Sequence, residues 1–244
     1  MADVLLALAR TFGSLRSGRI WLYVLAPALF SLLLSIGLAV WGLGLLVEEM
    51  LAWPPLTFLV GWGLVWLAHL LAYLGGWMAI FAVAYLSASL LAALFVMPLL
   101  LKHVAATDYR EVAAVGQDSF SAAAVNSLWA SLLFVVGWLL TLPLWIVPGL
   151  SLLLPMLLMA WYNRRTFAYD ALSMHATGEE WQALRQRHKA PLFMLGLIMA
   201  LLAHIPVLGL LVPALAALSF VHFGLEVLRR SRGGALLTIE GEGL

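Results

Sequence analysis

The sequence predicts an all-α, polytopic membrane protein with two long transmembrane helices and two proline-tipped helical hairpins. Hydrophobic residues make up 64% of the 244 residues and charged residues only 10%, and the mean hydropathy is +1.04. The apolar residues form continuous runs, unlike the alternating pattern of an outer-membrane barrel. An uncharged block containing two prolines seven positions apart also occurs twice. We expect a single membrane domain, 1–232, and a flexible tail, 233–244.

The composition and motifs argue against an enzyme. The chain has no cysteine, which excludes structural disulfides, thiol catalysis and cysteine-ligated metals. The signatures of serine hydrolases, zinc proteases, P-loop proteins and dinucleotide-binding proteins are absent. We therefore expect no catalytic activity, no metal, no cofactor and no nucleic-acid partner.

The chain starts with an amphipathic leader, 1–19, followed by a first span, 20–47. The leader has apolar residues on one side and arginines elsewhere, which fits either a helix in the membrane interface or a plain positive leader. The first uncharged run is 28 residues long, or roughly 42 Å of helix. This is too long for the apolar region of a signal peptide, so we expect it to remain as a span.

A second uncharged run, 56–101, has 46 residues and is predicted to form one long helix. Two spans joined at Gly75–Gly76 would place ten of the 13 Lys and Arg residues outside, against the positive-inside tendency. A single helix must tilt, project or bend, and Pro98 is the expected bend. With this topology both termini are cytoplasmic, and only the acidic connector after the first span faces out.

The two proline pairs predict hairpins that turn inside the bilayer. The hairpins are 127–162, with Pro148 and Pro155, and 191–228, with Pro206 and Pro213. Their leading arms have 16 and 14 residues, about 24 and 21 Å of helix against a hydrocarbon core of about 30 Å. We therefore favour partial penetration. Trp145 at the first tip favours the alternative of full crossing, because Trp prefers the water interface.

A short surface helix, 177–189, is predicted between the hairpins. Thr177-Gly178-Glu179-Glu180 has the pattern of a capping box, with Thr177 at the cap and Glu180 at the third helical position. The helix is therefore expected to open at this point and to lead into the second hairpin.

Several polar residues near the hairpins are candidates for function. Asp170 and His175 are five residues apart, about 140° around a helix, so they do not build a catalytic dyad. We expect them to form hydrogen bonds or to pair with Arg164 and Arg165. His204 lies beside the second tip, where an ionisable group is a candidate for a pathway. A neutral His204 bonded to a backbone carbonyl explains it equally well. The possible pathway residues are His204, Pro206 and Pro148.

The best candidate anion site lies between the leader and the first span. Ser17 can cap the span, whose first N–H groups and positive dipole end attract anions. Arg10, Arg16 and Arg19 lie nearby in the sequence. The alternative is that these arginines anchor the helix to anionic lipid.

Small residues at a spacing of four allow close helix contact. They are Ser31, Ser35 and Ala39 in the first span and Ala84, Ala88 and Ala92 in the long helix. They can serve internal packing or a homodimer. Half-crossing hairpins need protein around their tips, which favours a homodimer or a larger homo-oligomer.

The layout resembles the CysZ-type sulfate permease family, part of the etoposide-induced-protein superfamily. The resemblance rests on the basic leader, the two long spans, the hairpin tips L-P-L-W-I-V-P-G and H-I-P-V-L-G, and the stretch Y-D-A-L-S-M-H-A between the hairpins. It implies a multi-pass protein of the bacterial inner membrane, oligomeric through dimers, with partly penetrating hairpins. The implied activity is inward conduction of sulfate for cysteine biosynthesis.

The resemblance also implies where sulfate binds. The family's site is a Gly-Leu-Arg motif with a further arginine near the start of the first long helix. The nearest match here is Gly13-Ser14-Leu15-Arg16 with Arg19, including Ser17 between them. This match carries an inserted Ser14, and Ile20-Trp21 stands where family members often have basic residues. The functional hypothesis is a sulfate or oxyanion permease; the alternative is a non-transporting scaffold or lipid-organising protein.

Overall fold

A computed structural model describes residues 2–116, 120–147, 149–205 and 208–241. Within these ranges the regular structure is entirely helical, with no strand. The α-helices are α1 (Ala2–Ser14), α2 (Gly18–Trp41), α3 (Leu43–Ala52), α4 (Leu56–Gly61), α5 (Val65–Leu91), α6 (Met97–Asp108), α7 (Phe120–Thr141), α8 (Leu150–Ser173), α9 (Gly178–Arg187), α10 (Lys189–Ala203) and α11 (Leu208–Gly241).

Four stretches of helix in the described part are long and apolar enough to cross a membrane. They are Gly18–Trp41, Val65–Asp108, Ser121–Trp145 and Leu208–Gly233. The predicted all-α class with several apolar membrane helices is therefore confirmed.

The two predicted spans are each interrupted near their outer ends. The run 20–47 is divided at Gly42 into α2 and α3, and α3 continues to Ala52 before Trp53-Pro54-Pro55. The run 56–101 begins with the short helix α4 and turns at Gly63, whose φ is +79°. A positive φ is a conformation that glycine adopts without strain. The sequence does not predict these turns, because the residues around Gly42 and Gly63 are as apolar as the helices on either side.

From Val65 onward the helix is continuous through Gly75 and Gly76. The two glycines allow α3 to pack closely, since a Cβ on Gly76 would lie 2.8 Å from Leu43 Cδ1. A π-helical segment, Ala92–Val96, joins α5 to α6 immediately before Pro98. This irregularity falls where the sequence predicts a bend, because proline cannot donate to the preceding turn.

The small residues of the first span pack against the long helix. Ser31 and Ser35 are buried, and the Ser31 hydroxyl donates to the carbonyl of Ala84 at 3.1 Å. At these positions the small residues serve packing within one chain, which is one of the two roles that the sequence left open.

The hairpins consist of α7 with α8 and of α10 with α11. The helix α7 starts at Phe120, seven residues before the predicted arm, and its 22 residues span about 33 Å. Length therefore no longer argues against full crossing of the first hairpin. The 15 residues of α10 span only about 22 Å, shorter than the hydrocarbon core. The tip residues Pro148, Pro206 and Val207 lie outside the described residues.

The helix α11 forms the centre of the core. Its buried side chains pack against α1, α2, α6, α8 and α10. Most of the residues in its apolar part are buried. Its backbone remains helical through Gly241, where the sequence predicts a flexible tail from 233. The second hairpin thus contributes the central helix of the fold, not a peripheral element.

The predicted capping box at the start of α9 is confirmed. The Thr177 hydroxyl accepts from the Glu180 N–H at 3.2 Å, and Glu180 Oε2 accepts from the Thr177 N–H at 2.8 Å. The helix begins at Gly178, directly after the cap, and ends at Arg187.

Candidate anion site at the start of the first long helix

The segment predicted to bind sulfate forms a tight turn between α1 and α2. The N–H of Ser17 donates to the Ser14 carbonyl at 3.0 Å, and Ser17 occupies the cap position of α2. Its hydroxyl makes no capping bond, contrary to expectation. The Ser17 carbonyl accepts from Ile20 and Trp21. In the described structure the N–H groups of Gly18 and Arg19 therefore have no hydrogen-bond acceptor.

The side chains of Arg16 and Arg19 are exposed on this turn. Neither guanidinium forms a hydrogen bond or an ion pair with any residue that the structure describes. Two unpaired cations thus flank the N-terminus of α2, whose free N–H groups also carry partial positive charge. This combination is suited to an anion.

Arg10 does not belong to this turn. Its Nη1 donates to Glu226 Oε2 at 2.7 Å and also to the hydroxyl of Tyr109. The expectation that three guanidiniums share the site therefore applies only to Arg16 and Arg19. The reason is tertiary: α1 packs along α11, which brings Glu226 to Arg10 across 216 residues of sequence.

Of the other predicted site residues, Ser14 and Leu15 contact the rest of the protein, and Gly13 is exposed. The Ser14 hydroxyl is hydrogen-bonded to Nε2 of His222 at 2.8 Å, and Leu15 packs against the main core. One turn earlier, the Thr11 and Ser219 hydroxyls are 3.0 Å apart. Gly13 is exposed, with no atom within 4 Å of where a Cβ would lie. Ser14 and Leu15 therefore position the turn, and their binding of sulfate stays a prediction.

An ion-pair cluster around Glu226 anchors α1 and the end of α11. Glu226 is only 3% exposed, and it accepts hydrogen bonds from Arg10, Arg229 and Arg230. Arg230 also pairs with Asp3 at the start of α1. Sequence reasoning missed this cluster. The signal was present, because Glu226 is the first charged residue after the second apolar block, and such a position is often functional or paired.

The apolar residues of the leader helix α1 are divided between the protein core and the exposed surface. Val4, Ala7 and Thr11 are buried against the core, whereas Leu5 and Phe12 are 64% and 61% exposed. A helix that packs on one side and presents large apolar side chains on the other fits an interfacial position between protein and lipid. This favours the interfacial reading of the leader.

The residues near the hairpin tips are only partly described. His204 Nδ1 donates to the Ala200 carbonyl at 2.7 Å, which is the backbone-bonded arrangement considered above. Pro148 and Pro206 lie outside the described residues, so their place in a pathway stays a prediction.

Asp170 does not pair with Arg164 or Arg165, so that expectation is wrong. Asp170 lies about 120° and 140° around α8 from these residues, and its carboxylate is buried without a hydrogen-bond partner among the described residues. Burial raises the pKa of Asp170 to about 8. His175 is also buried, and burial, together with the charge of Arg232, lowers its pKa.

The helical architecture and the unpaired cationic turn define a polytopic membrane protein with a candidate site for an anion. Residues 7–213 match the family described as Sulfate transporter CysZ/Etoposide-induced protein 2.4. The match covers most of the chain, and the chain belongs to this family of membrane transport proteins. The resemblance drawn from the sequence is thereby confirmed. No curated protein matches the chain significantly.

Proposed function

We propose that the protein is a permease or channel for sulfate or a related oxyanion, with its site at the start of α2. The observation that carries the proposal is the pair of exposed, unpaired arginines, Arg16 and Arg19, beside the free N–H groups of Gly18 and Arg19. This turn lies within the part of the chain that matches a family described as a sulfate transporter.

The chemistry of the turn suits a doubly charged tetrahedral anion. Guanidinium groups bind such oxygens with parallel charge-assisted hydrogen bonds, and the helix N-terminus supplies backbone donors and a positive dipole end. Both side chains are exposed, so an anion can be exchanged with water without a large rearrangement. Transport requires such release as well as binding.

The remaining parts of the proposal concern the cell and the assembly. By the positive-inside tendency the site is on the cytoplasmic side, with both termini there. We place the protein in the bacterial inner membrane, supplying sulfate for cysteine biosynthesis, as a homodimer or larger homo-oligomer that covers the hairpin tips. With no nucleotide-binding motif, transport is passive, ion-coupled or driven by a separate protein.

Sulfate flux into sealed proteoliposomes tests the site, with phosphate and selenate as competitors. We expect saturable flux in the natural protein and its loss in the double variant Arg16→Ala, Arg19→Ala. Arg110→Ala is the matched control, because Arg110 is also exposed and, among the described residues, donates to the Ala106 carbonyl in the last turn of α6. It should transport normally.

Two results would count against the proposal in different ways. Flux that is unchanged in the double variant places the anion site elsewhere. No sulfate flux in the natural protein, together with retention of anionic lipid through Arg185, Arg187 and Lys189, favours the alternative of a lipid-organising scaffold.

A further inference from the structure

A second group of arginines has no acidic partner. Arg164 and Arg165 lie on α8 and Arg185 lies on α9, and none of the three guanidiniums is within 4 Å of a carboxylate in the described part of the chain. By contrast, the described arginines of α1 and α11 are paired: Arg10, Arg229 and Arg230 with Glu226, and Arg232 with Glu180 of α9. The acidic residues thus compensate one cluster and leave the other uncompensated.

Aromatic rings hold two of these guanidiniums, those of Arg164 and Arg185, in defined positions. Arg164 Cζ lies 6.0 Å from the ring centre of Phe193, and Arg185 Cζ lies 4.9 Å from that of Trp181. Trp181 in turn contacts Tyr169 of α8 edge to face, with ring centres 5.5 Å apart. Stacking of this kind orients a guanidinium and leaves its N–H donors available.

Arg164 lies close enough to Arg165 and Arg185 to be repelled by both. Burial lowers the pKa of Arg164, and the positive charges of Arg185 and Arg165 lower it further. Arg164 is partly buried, so water screens this repulsion incompletely. An anion between the guanidiniums would remove the repulsion and gain charge-assisted hydrogen bonds.

The position along the chain indicates the kind of anion. Arg164 directly follows the first uncharged block, which ends at Asn163, so the cluster lies where the hairpin leaves the membrane. Phosphate groups of lipid and dissolved oxyanions are both available at that depth.

We propose that Arg164, Arg165 and Arg185 form a second oxyanion site, which binds a tetrahedral phosphate-like group of a lipid headgroup or of a dissolved ion. The site is separate from the turn at Arg16 and Arg19, and it does not depend on the proposed transport function.

Thermal unfolding of the purified, delipidated full-length chain tests the site, with Arg16→Ala and Arg19→Ala present throughout to remove the first site. The probes are sodium phosphate and sodium sulfate at constant ionic strength, and micelles with phosphatidylglycerol or phosphatidylcholine. The variants are Arg164→Gln and Arg185→Gln, and Arg187→Gln is the control for equal loss of charge on α9.

We expect a saturable rise in melting temperature with the probe, and an apparent Kd raised about tenfold or more in Arg164→Gln and Arg185→Gln. Arg187→Gln should keep the response. A response to phosphate or sulfate identifies a dissolved oxyanion, and a response to phosphatidylglycerol alone identifies a headgroup; either result supports the site. No response, or an equal loss in Arg187→Gln, overturns it.

A second readout separates binding from a purely structural role. Without any anion, Arg164→Gln should melt no lower than the parent protein, because it relieves repulsion. If Arg164 only supported the packing on Phe193, the variant would melt lower without anion and its apparent Kd would be unchanged, and that combination would overturn the proposal. Arg185 is exposed, so Arg185→Gln carries the test by itself if Arg164→Gln does not fold.

Discussion

The contact between the two hairpins predicts that Gly196→Ala destabilises the protein. Gly196 of α10 faces the backbone of α8, and a Cβ there would lie 2.4 Å from the carbonyl oxygen of Ala160. Since real Cβ contacts are not shorter than 3.0 Å, the helices must separate by at least 0.6 Å, the difference of these distances. The position of the Cβ is fixed by the backbone of α10, and the oxygen belongs to the backbone of α8. No flexible side chain can therefore absorb the shift.

Two opposing effects set the magnitude. Overpacking of this kind costs about 1–3 kcal/mol, and a rigid backbone contact belongs at the upper end. Replacing glycine by alanine in a helix gains about 1 kcal/mol. The net loss is therefore about 2 kcal/mol. The separation also weakens the contact of Asn163 Nδ2 with the Gly196 carbonyl, which is already long at 3.5 Å.

Gly37→Ala is the matched control, because Gly37 lies in α2 with nothing within 4 Å of its Cβ position. It should gain about 0.5–1 kcal/mol from helix propensity alone. Thermal unfolding in detergent, followed by the fluorescence of the 11 tryptophans, measures both. With about 2–4 °C per kcal/mol for a chain of this size, Gly196→Ala should melt roughly 4–8 °C lower and Gly37→Ala slightly higher. If Gly196→Ala were as stable as Gly37→Ala, the close approach of α8 and α10 would be refuted.

Other contacts give further predictions. Glu226→Gln should cost about 2–3 kcal/mol, below the usual 3–5 for a broken buried pair because Arg229 and Arg230 are 42% and 51% exposed; chemical unfolding measures it, and an unchanged midpoint would contradict the ion-pair cluster. Thr177→Ala should cost about 1 kcal/mol by removing the cap of α9, with Thr107→Ala as the control for loss of a threonine hydroxyl on an exposed helix end. The raised pKa of Asp170, about 8 against the ordinary 3.8, means that its neutral form favours the fold; its contribution to stability is fully present below about pH 4 and is lost as the pH rises through 8. Melting of Asp170→Asn should lack this fall, and parallel pH curves for the two proteins would refute the burial. In this cysteine-free chain, a single cysteine at Val207 should react less with a membrane-impermeant reagent from outside than one at Glu49, because the 15 residues of α10 are too few to cross the hydrocarbon core; equal labelling would show that the second hairpin crosses fully.

The elements that could be predicted from the sequence depend on local patterns. Continuous hydropathy is a property of neighbouring residues, so it gives the class and the membrane helices without knowledge of any contact. The Thr177–Glu180 box spans four residues and is correct for the same reason. Helix boundaries are less accurate, since α7 starts seven residues before the predicted arm and a turn at Gly63 separates α4 from α5 within the predicted long helix.

The candidate site was only partly predictable. The arginines at positions 16 and 19 are placed on the exposed turn by sequence adjacency alone. Arg10 is only six residues from Arg16, yet its partner Glu226 lies 216 residues away. Likewise, Asp170 is close to Arg164 in sequence but faces another side of α8.

The sequence by itself determined that the chain is an all-helical membrane protein of the CysZ/etoposide-induced-protein family, with a basic turn before its first long helix. Only the tertiary structure decided which charges remain free. The physical reason is that a charge in the chain is neutralised by whichever partner the packing brings within hydrogen-bond distance. The packing of α1 on α11 neutralises Arg10 through Glu226, whereas Arg16, Arg19, Arg164, Arg165 and Arg185 have no acidic partner in the part of the chain that the structure describes.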